Sequence, residues 1–378
     1  MLSFTCCRLS NVKVNIPGTG HPEYGSGGTP TVRRAEPDHN KEVRSMRTSK
    51  TLLAGVALAG ALAIVATGCG GSSAEGDDSA ATTTESDGEL ITVGFAQTGS
   101  ESGWRSANTE SMNAAFSEEN GFNLIFNAAD NDPAAQTAAV RSFINQGVDA
   151  IVIAPIVEDG WDDVLQEAKD AGVPVILEDR TVSASEDLYA SWVGLDFRNE
   201  GVMAGEWAAE TFGDTPTNMV VLEGTTGSAP ANDRAEGFAE AIEGTAITTI
   251  DSQTGNFTRA DGKTVMEGFL QAHGSDIDLL YAHNDDMALG AIDAIEAAGL
   301  VPGEDIKIVS IDAVRDGMQA LIDGKINFIV ECNPLLGEQA ADLVKDVLAG
   351  NPVDKEYYVE DQTFTAEDAA AVIDERLY

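Results

Sequence analysis

The chain has 378 residues, 43% of them hydrophobic, with 63 acidic against 22 basic side chains and a formal charge of −41. That length accommodates two domains of ordinary size, and the apolar fraction is enough to bury their cores. The charge argues against nucleic acid and anionic membrane surfaces as partners, since both need a basic footprint; it is a property of a solvated exterior rather than of a site.

Residues 1–45 are polar, contain several Gly and Pro, and show no sustained period. Met46-Arg47-Thr48-Ser49-Lys50 then leads into an unbroken apolar and small run, 52–66, that ends in Thr67-Gly68-Cys69. A basic start, a short apolar core and a small-residue cleavage region read as a secretion signal over 46–68, too short for a comfortable membrane span. Ala66-Thr67-Gly68-Cys69 resembles a bacterial lipobox, which makes Cys69 the lipid-bearing first residue of the mature chain. Met46 is then the expected start, and 1–45 a misassigned or disordered extension. The four cysteines, at 6, 7, 69 and 332, suit neither a disulfide framework nor a zinc site, and after export only Cys332 remains as a thiol. Residues 69–89, rich in Gly, Ser, Thr, Asp and Glu, read as a flexible acidic stalk.

From residue 90 onward, short apolar runs alternate with helical patterns. Strands are expected at 91–96, 124–128, 150–153, 175–177, 190–193, 219–222, 246–250, 279–282, 306–311 and 328–330. Helices are expected between them, among others at 133–146, 164–171, 199–212, 233–241, 258–272, 285–297 and 337–348, with one more beginning near Ser106. Asp132-Pro133 supplies an N-cap and a first-turn proline, and Gly172, Gly299 and Gly350 follow last turns. This alternation predicts an α/β protein whose parallel sheets are covered on both faces, in two doubly wound lobes. A closed eight-fold barrel fits less well, because the strand runs exceed eight.

Polar groups stand just past the apolar runs, where open α/β sheets hold ligands. The first is Gly99-Ser100-Glu101-Ser102-Gly103-Trp104-Arg105. Trp104 offers a π face to the C–H side of a sugar ring, Arg105 five fixed donors, Glu101 and Ser102 acceptors. Glu178-Asp179-Arg180, Glu223-Gly224-Thr225, Asn232-Asp233-Arg234, Asn284-Asp285-Asp286 and Asp312 follow later strands. Singly, such Asp and Asn residues are helix caps. Together with arginines, which are not preferred caps, they match the donor and acceptor pattern of a polyol. Each carboxylate has an Arg or Asn beside it, in sequence or at an equivalent strand end, and pairing with Arg is expected to lower a carboxyl pKa, which suits an acceptor rather than a proton donor. No nucleophile elbow, phosphate loop or metal-spaced cluster appears, so no catalytic residue, metal or cofactor is expected. Cys332 reads as a small core residue.

With Tyr281-Ala282-His283-Asn284-Asp285-Asp286-Met287, Phe257-Thr258-Arg259 and Gly237-Phe238-Ala239-Glu240-Ala241-Ile242 added to these motifs, the chain from residue 90 resembles the ribose/galactose-type sugar-binding proteins of ABC importers. It is most similar to their galactofuranose-binding branch. The resemblance implies the type I periplasmic binding protein fold, with a three-crossing hinge near 195, 332–334 and 357–359. One lobe would comprise 90–195 and 334–357, the other 196–333 and 358–378. It implies a ligand site of Glu101, Ser102, Gly103, Trp104, Arg105, Asp179, Arg180, Arg234, Asn284 and Asp312, with Phe257 as a second stacking aromatic and Glu331 near the hinge. The chain departs from ribose-type members at Ala154, where they carry Asn. The implied protein is a monomer that is not an enzyme. It captures a monosaccharide outside the cytoplasm, touches the membrane only through its lipid, and serves an ABC permease. A chemosensory or two-component receptor is the alternative partner. A LacI-type regulator shares the fold but is disfavoured, since no helix-turn-helix precedes residue 90.

Overall fold

The computed structural model describes residues 89–378. The signal segment, Cys69 and the stalk up to residue 88 lie outside the described residues. Two six-stranded sheets form the framework. The first contains β1 (Ile91–Gln97), β2 (Phe122–Ala128), β3 (Ala150–Ile153), β4 (Val175–Asp179), β5 (Ser191–Gly194) and a late strand, β11 (Glu356–Tyr358). The second contains β6 (Thr217–Glu223), β7 (Ile247–Thr254), β8 (Leu279–Ala282), β9 (Lys307–Asp312), β10 (Phe328–Glu331) and β12 (Thr363–Phe364). Their orders are β11-β5-β4-β3-β1-β2 and β12-β10-β9-β8-β6-β7, parallel except for the β10–β12 edge pair.

The central strands are the continuous apolar runs of the sequence. Every residue of β3 and β8 is buried, as a parallel strand covered on both faces requires. On the first sheet, α1 (Gly103–Ala115) and α9 (Gly337–Ala349) cover one face, and α2 (Pro133–Gln146) and α3 (Asp162–Ala171) the other. On the second, α4 (Phe197–Phe212) and α5 (Ala229–Ala241) lie opposite α6 (Arg259–His273), α7 (Asp285–Ala297) and α8 (Arg315–Ile322). A last helix, α10 (Ala366–Val372), packs on α8. The chain passes between the sheets after β5, after β10 and after β11, which makes this the two-lobed, three-crossing α/β architecture.

Local chemistry sets most boundaries. Asp132 caps α2 by accepting from the Ala134 and Ala135 amides, with Pro133 in the first turn, and α3 and α9 end at Gly172 and Gly350 in the left-handed conformation. Two helices start earlier than their periodicity suggests. α1 begins at Gly103, because Ser102 caps it by accepting from the Arg105 amide at 3.0 Å. α5 begins at Ala229, with Pro230 in its first turn, so Arg234 sits in the second turn instead of opening the helix. The edge strands β11 and β12 are absent from the sequence pattern. Each is two or three residues long and exists because a neighbouring strand offers it a ladder. Among the described residues, no helix is long and apolar enough to cross a membrane.

Candidate functional site

The carboxyl ends of the strands in both sheets face one another across a cavity of about 290 Å³. Its walls include Glu101, Ser102, Trp104 and Arg105 from the start of α1, and Asp179 and Arg180 from the end of β4. The second lobe contributes Arg234 from α5, Phe257 from the loop before α6, Asn284 from the start of α7, and Asp312 from the end of β9. Ten of the twelve residues expected at a ligand site therefore share one enclosure.

Arg105 is 2% exposed and held on three sides. Its Nε donates to Glu101 Oε1 at 3.1 Å, Nη1 to Asn108 Oδ1 at 3.3 Å, and Nη2 to Asp179 Oδ2 at 2.5 Å. Its guanidinium also lies 4.6 Å from the centre of the Trp104 ring. Trp104 is fixed at its other end, where Nε1 donates to the Cys332 carbonyl at 2.6 Å and ties α1 to the hinge segment after β10. Across the cavity, Arg234 Nε donates to Glu200 Oε2 at 2.7 Å and Nη1 to the His283 carbonyl at 2.6 Å, with Asp312 Oδ1 3.9 Å from Nη2. Asn284 is both wall and cap: Oδ1 accepts from the Met287 amide at 3.0 Å, and Nδ2 donates to the Phe257 carbonyl at 3.2 Å.

Arg180 is the least satisfied of the three arginines. Nη1 donates to the Ile156 carbonyl at 3.2 Å, but Nε is buried with no hydrogen-bond partner, and the Asp179 carboxylate is 3.5 Å away. Its guanidinium stands 5.3 Å from the Phe257 ring of the opposite lobe. Burial, with Arg105 beside it, lowers its pKa to about 10, so it remains a cation at neutral pH. A buried donor without a hydrogen-bond partner is costly, and the nearby Asp179 carboxylate offsets that cost only in part.

The carboxyls do not all behave alike. Burial alone would raise Glu101, but Arg105 and Arg180 outweigh it and hold the group below its ordinary value. Asp312 departs from the expectation that arginine lowers each neighbouring carboxyl. Burial pushes it well above its ordinary value, and Arg234, almost 4 Å away, offsets only part of that. Behind the wall, Glu178 alternates away from Asp179 to accept from Asn108 Nδ2, and burial raises it to about 8.

Backbone strain aims several of these side chains. Asp179, Phe257 and Asp312 have φ of 61°, 61° and 126°, conformations that non-glycine residues rarely adopt. The Phe257 ring occupies the place where a Cβ on Gly224 would stand, 1.9 Å from its Cζ, so only glycine fits there.

Two expected residues lie off the cavity wall. Gly103 instead donates its amide to Asp286 Oδ2 at 2.8 Å, a contact between the lobes. Glu331 turns to the C-terminal segment, 2.7 Å from Arg376 Nη1 and accepting from the Tyr378 hydroxyl at 2.8 Å. Three wall residues were not anticipated: Phe197, Pro230 and Cys332. Phe197 and Cys332 stand just past β5 and β10, so the rule that found the others applies to them, but their apolar character disguised them as core. Cys332 is in fact both, packed in the second lobe's core and lining the cavity.

The geometry can hold a small neutral molecule with several hydroxyls. Three guanidiniums and three carboxylates supply directed partners, and Trp104, Phe197 and Phe257 supply apolar faces.

Comparison with known proteins agrees with this architecture. The family model described as "Periplasmic binding protein domain" matches residues 93–352. The chain is 48% identical over 261 residues to the galactofuranose-binding protein YtfQ of Escherichia coli K12, covering 68% of this chain and 81% of that protein. It is 36% identical over 335 residues to the fructose import binding protein FruE of Bifidobacterium longum, covering 87% and 98% respectively. A solved structure from Mycobacterium smegmatis in complex with β-D-fucofuranose superposes with a TM-score of 0.73 at 53% identity, covering 75% of this chain and 94% of that one. The chain belongs to the periplasmic binding protein family, within its branch of sugar-binding proteins of ABC import systems.

Proposed function

We propose that this protein is the extracytoplasmic, lipid-anchored binding subunit of an ABC importer, and that it captures galactofuranose or a related monosaccharide in the cavity between its lobes. The observation that carries this reading is the set of three buried guanidiniums, Arg105, Arg180 and Arg234, converging with carboxylates and three aromatic rings on one small enclosure. Such a lining rewards a ring with an apolar face and a hydroxylated edge, and penalises a sugar that leaves a buried polar group unpaired. Relatives named for galactofuranose and fructose, and a neighbour bound to fucofuranose, support a furanose.

In this reading, residues 90–195 with 334–357 and residues 196–333 with 358–378 close on the ligand as two bodies. A ligand that touches both lobes only when they are closed shifts the equilibrium toward that form, which the permease then receives. Glu101, Arg105, Asp179 and Arg180 hold one edge of the sugar, and Arg234, Asn284 and Asp312 the other. Cys69, after the basic and apolar segment that precedes it, would carry the lipid that keeps the subunit at the membrane.

The test is calorimetric titration of residues 90–378 with galactofuranose, galactopyranose, ribose and arabinose, with tryptophan fluorescence followed in parallel. Tight one-to-one binding of galactofuranose with a signal lost in Trp104→Phe is the expected result. Binding of another sugar alone would overturn the furanose assignment, and silence toward all four would overturn the sugar site.

A further inference from the structure

A second cavity lies within the second lobe, between α5 and the face of β6, β7 and β8, and shares no lining residue with the first. It is an open groove with about 490 Å³ of empty space, part of it open to solvent. Met219, Val221, Phe238, Ile242 and Tyr281 make most of its walls apolar, and Phe238 stacks on Tyr281 with centroids 4.1 Å apart and planes 17° from parallel. One polar group stands in its lining without a partner. His283 is fully buried, and its Nδ1 accepts from the Gly224 amide at 3.4 Å, which leaves the ring hydrogen on Nε2. That Nε2 has no hydrogen-bond partner. Burial, reinforced by Arg234, pushes the imidazole down to about 3, so it is a neutral donor at every physiological pH.

We propose that this groove is a second ligand site, which takes a flat, uncharged aryl compound that accepts a hydrogen bond from His283 Nε2; a phenol is its simplest form. Flatness follows from the slot between a helix and a sheet beside an already stacked aromatic pair. Neutrality follows from the apolar walls, and Glu223 at the rim further opposes an anion. The acceptor follows from the unsatisfied donor, whose burial cost a ligand oxygen removes. A sugar does not suit the groove, because its walls offer too few partners for a ring of hydroxyls. The site adjoins the first through two hydrogen bonds: the His283 carbonyl accepts from the Arg234 guanidinium at 2.6 Å, and the Tyr281 hydroxyl donates to the Arg234 carbonyl at 3.3 Å.

Fluorine NMR titration of the full chain with 4-fluorophenol tests the proposal. Saturable binding with Kd below about 1 mM is expected, together with a shift of the His283 ring resonances. 4-Fluorotoluene, which keeps the shape but lacks the acceptor, should bind at least about tenfold more weakly. Ala239→Leu, an exposed position of α5 that lines the groove, should weaken 4-fluorophenol by a similar factor while leaving the circular dichroism spectrum unchanged. No saturation up to about 10 mM, equal binding of the two compounds, or binding indifferent to Ala239→Leu would each overturn the assignment.

Discussion

Arg105 shows what one residue does in this molecule. It is the common partner of Glu101 and Asp179, whose side chains are both buried, so Arg105→Ala leaves two carboxylates in a dry site with only Arg180 beside them, 3.7 and 3.5 Å away. Breaking a buried pair in this way costs about 3 kcal/mol, which urea unfolding of the variant would measure. Sugar binding should fall with it, by about a hundredfold or more in calorimetry. Glu178 presents the opposite case, a carboxyl that the fold keeps protonated. Glu178→Gln preserves the acceptor for Asn108 and removes the ionisation, so the variant should match the parent below the ordinary carboxyl value of 4.5 and be the more stable of the two at pH 8. Urea unfolding at the two pH values checks the sign.

At the scale of elements, α4 and α5 are the pair that positions Arg234 and Glu200. Their contact depends on Gly237, where an added Cβ would stand 2.0 Å from the Arg198 carbonyl oxygen of α4. Gly237→Ala must force the helices apart, with a loss of about 1–3 kcal/mol typical of overpacking. Because Arg234 reaches Glu200 across that contact at 2.7 Å, sugar affinity should drop more than the distance from the cavity suggests. Thermal unfolding and calorimetry on the same sample would separate the two effects. The element starts also explain what was legible in the chain. Caps such as Asp132 and Asn284 are stated by the sequence, whereas the first turns of α1 and α5 begin before their apolar period does.

For the whole molecule, contacts between the lobes and buried titrating groups set the behaviour. Asn232 Nδ2 donates to Glu158 Oε2 at 2.5 Å, and the Glu158 amide donates to the Gly227 carbonyl at 2.9 Å, both between the lobes. Asn232→Ala should loosen the closed form by about 1 kcal/mol and weaken sugar about fivefold, mainly through faster release in stopped-flow measurements. Burial raises Glu178 to about 8, Asp285 to about 7 and Asp361 to about 9. The folded chain therefore keeps protons that the unfolded chain gives up. The contribution of these groups is complete below ordinary carboxyl values and is lost as pH rises through the folded ones. His283, lowered to about 3, acts in reverse: its contribution is complete above 6.5 and is lost as pH falls toward 3. Above pH 6.5 only the carboxyls of this group still titrate, so the midpoint of thermal unfolding should decline between pH 6.5 and 8. A midpoint that rises over that interval would contradict the assignment.

The sequence by itself determined the α/β class, the two lobes, the order of strands and helices and most of the cavity wall. Those features rest on local signals: apolar runs for buried parallel strands, caps for helix starts, and polar clusters just past strand ends. Tertiary structure alone decided that Gly103 bridges the lobes, that Glu331 serves Arg376, and that Phe197, Pro230 and Cys332 join the wall. It also decided that Asp312 escapes the lowering expected from Arg234. The physical reason is the same in each case. Where a side chain finds its partner, and whether burial or a neighbouring charge prevails, depends on distances between segments far apart in the chain, which no local pattern encodes.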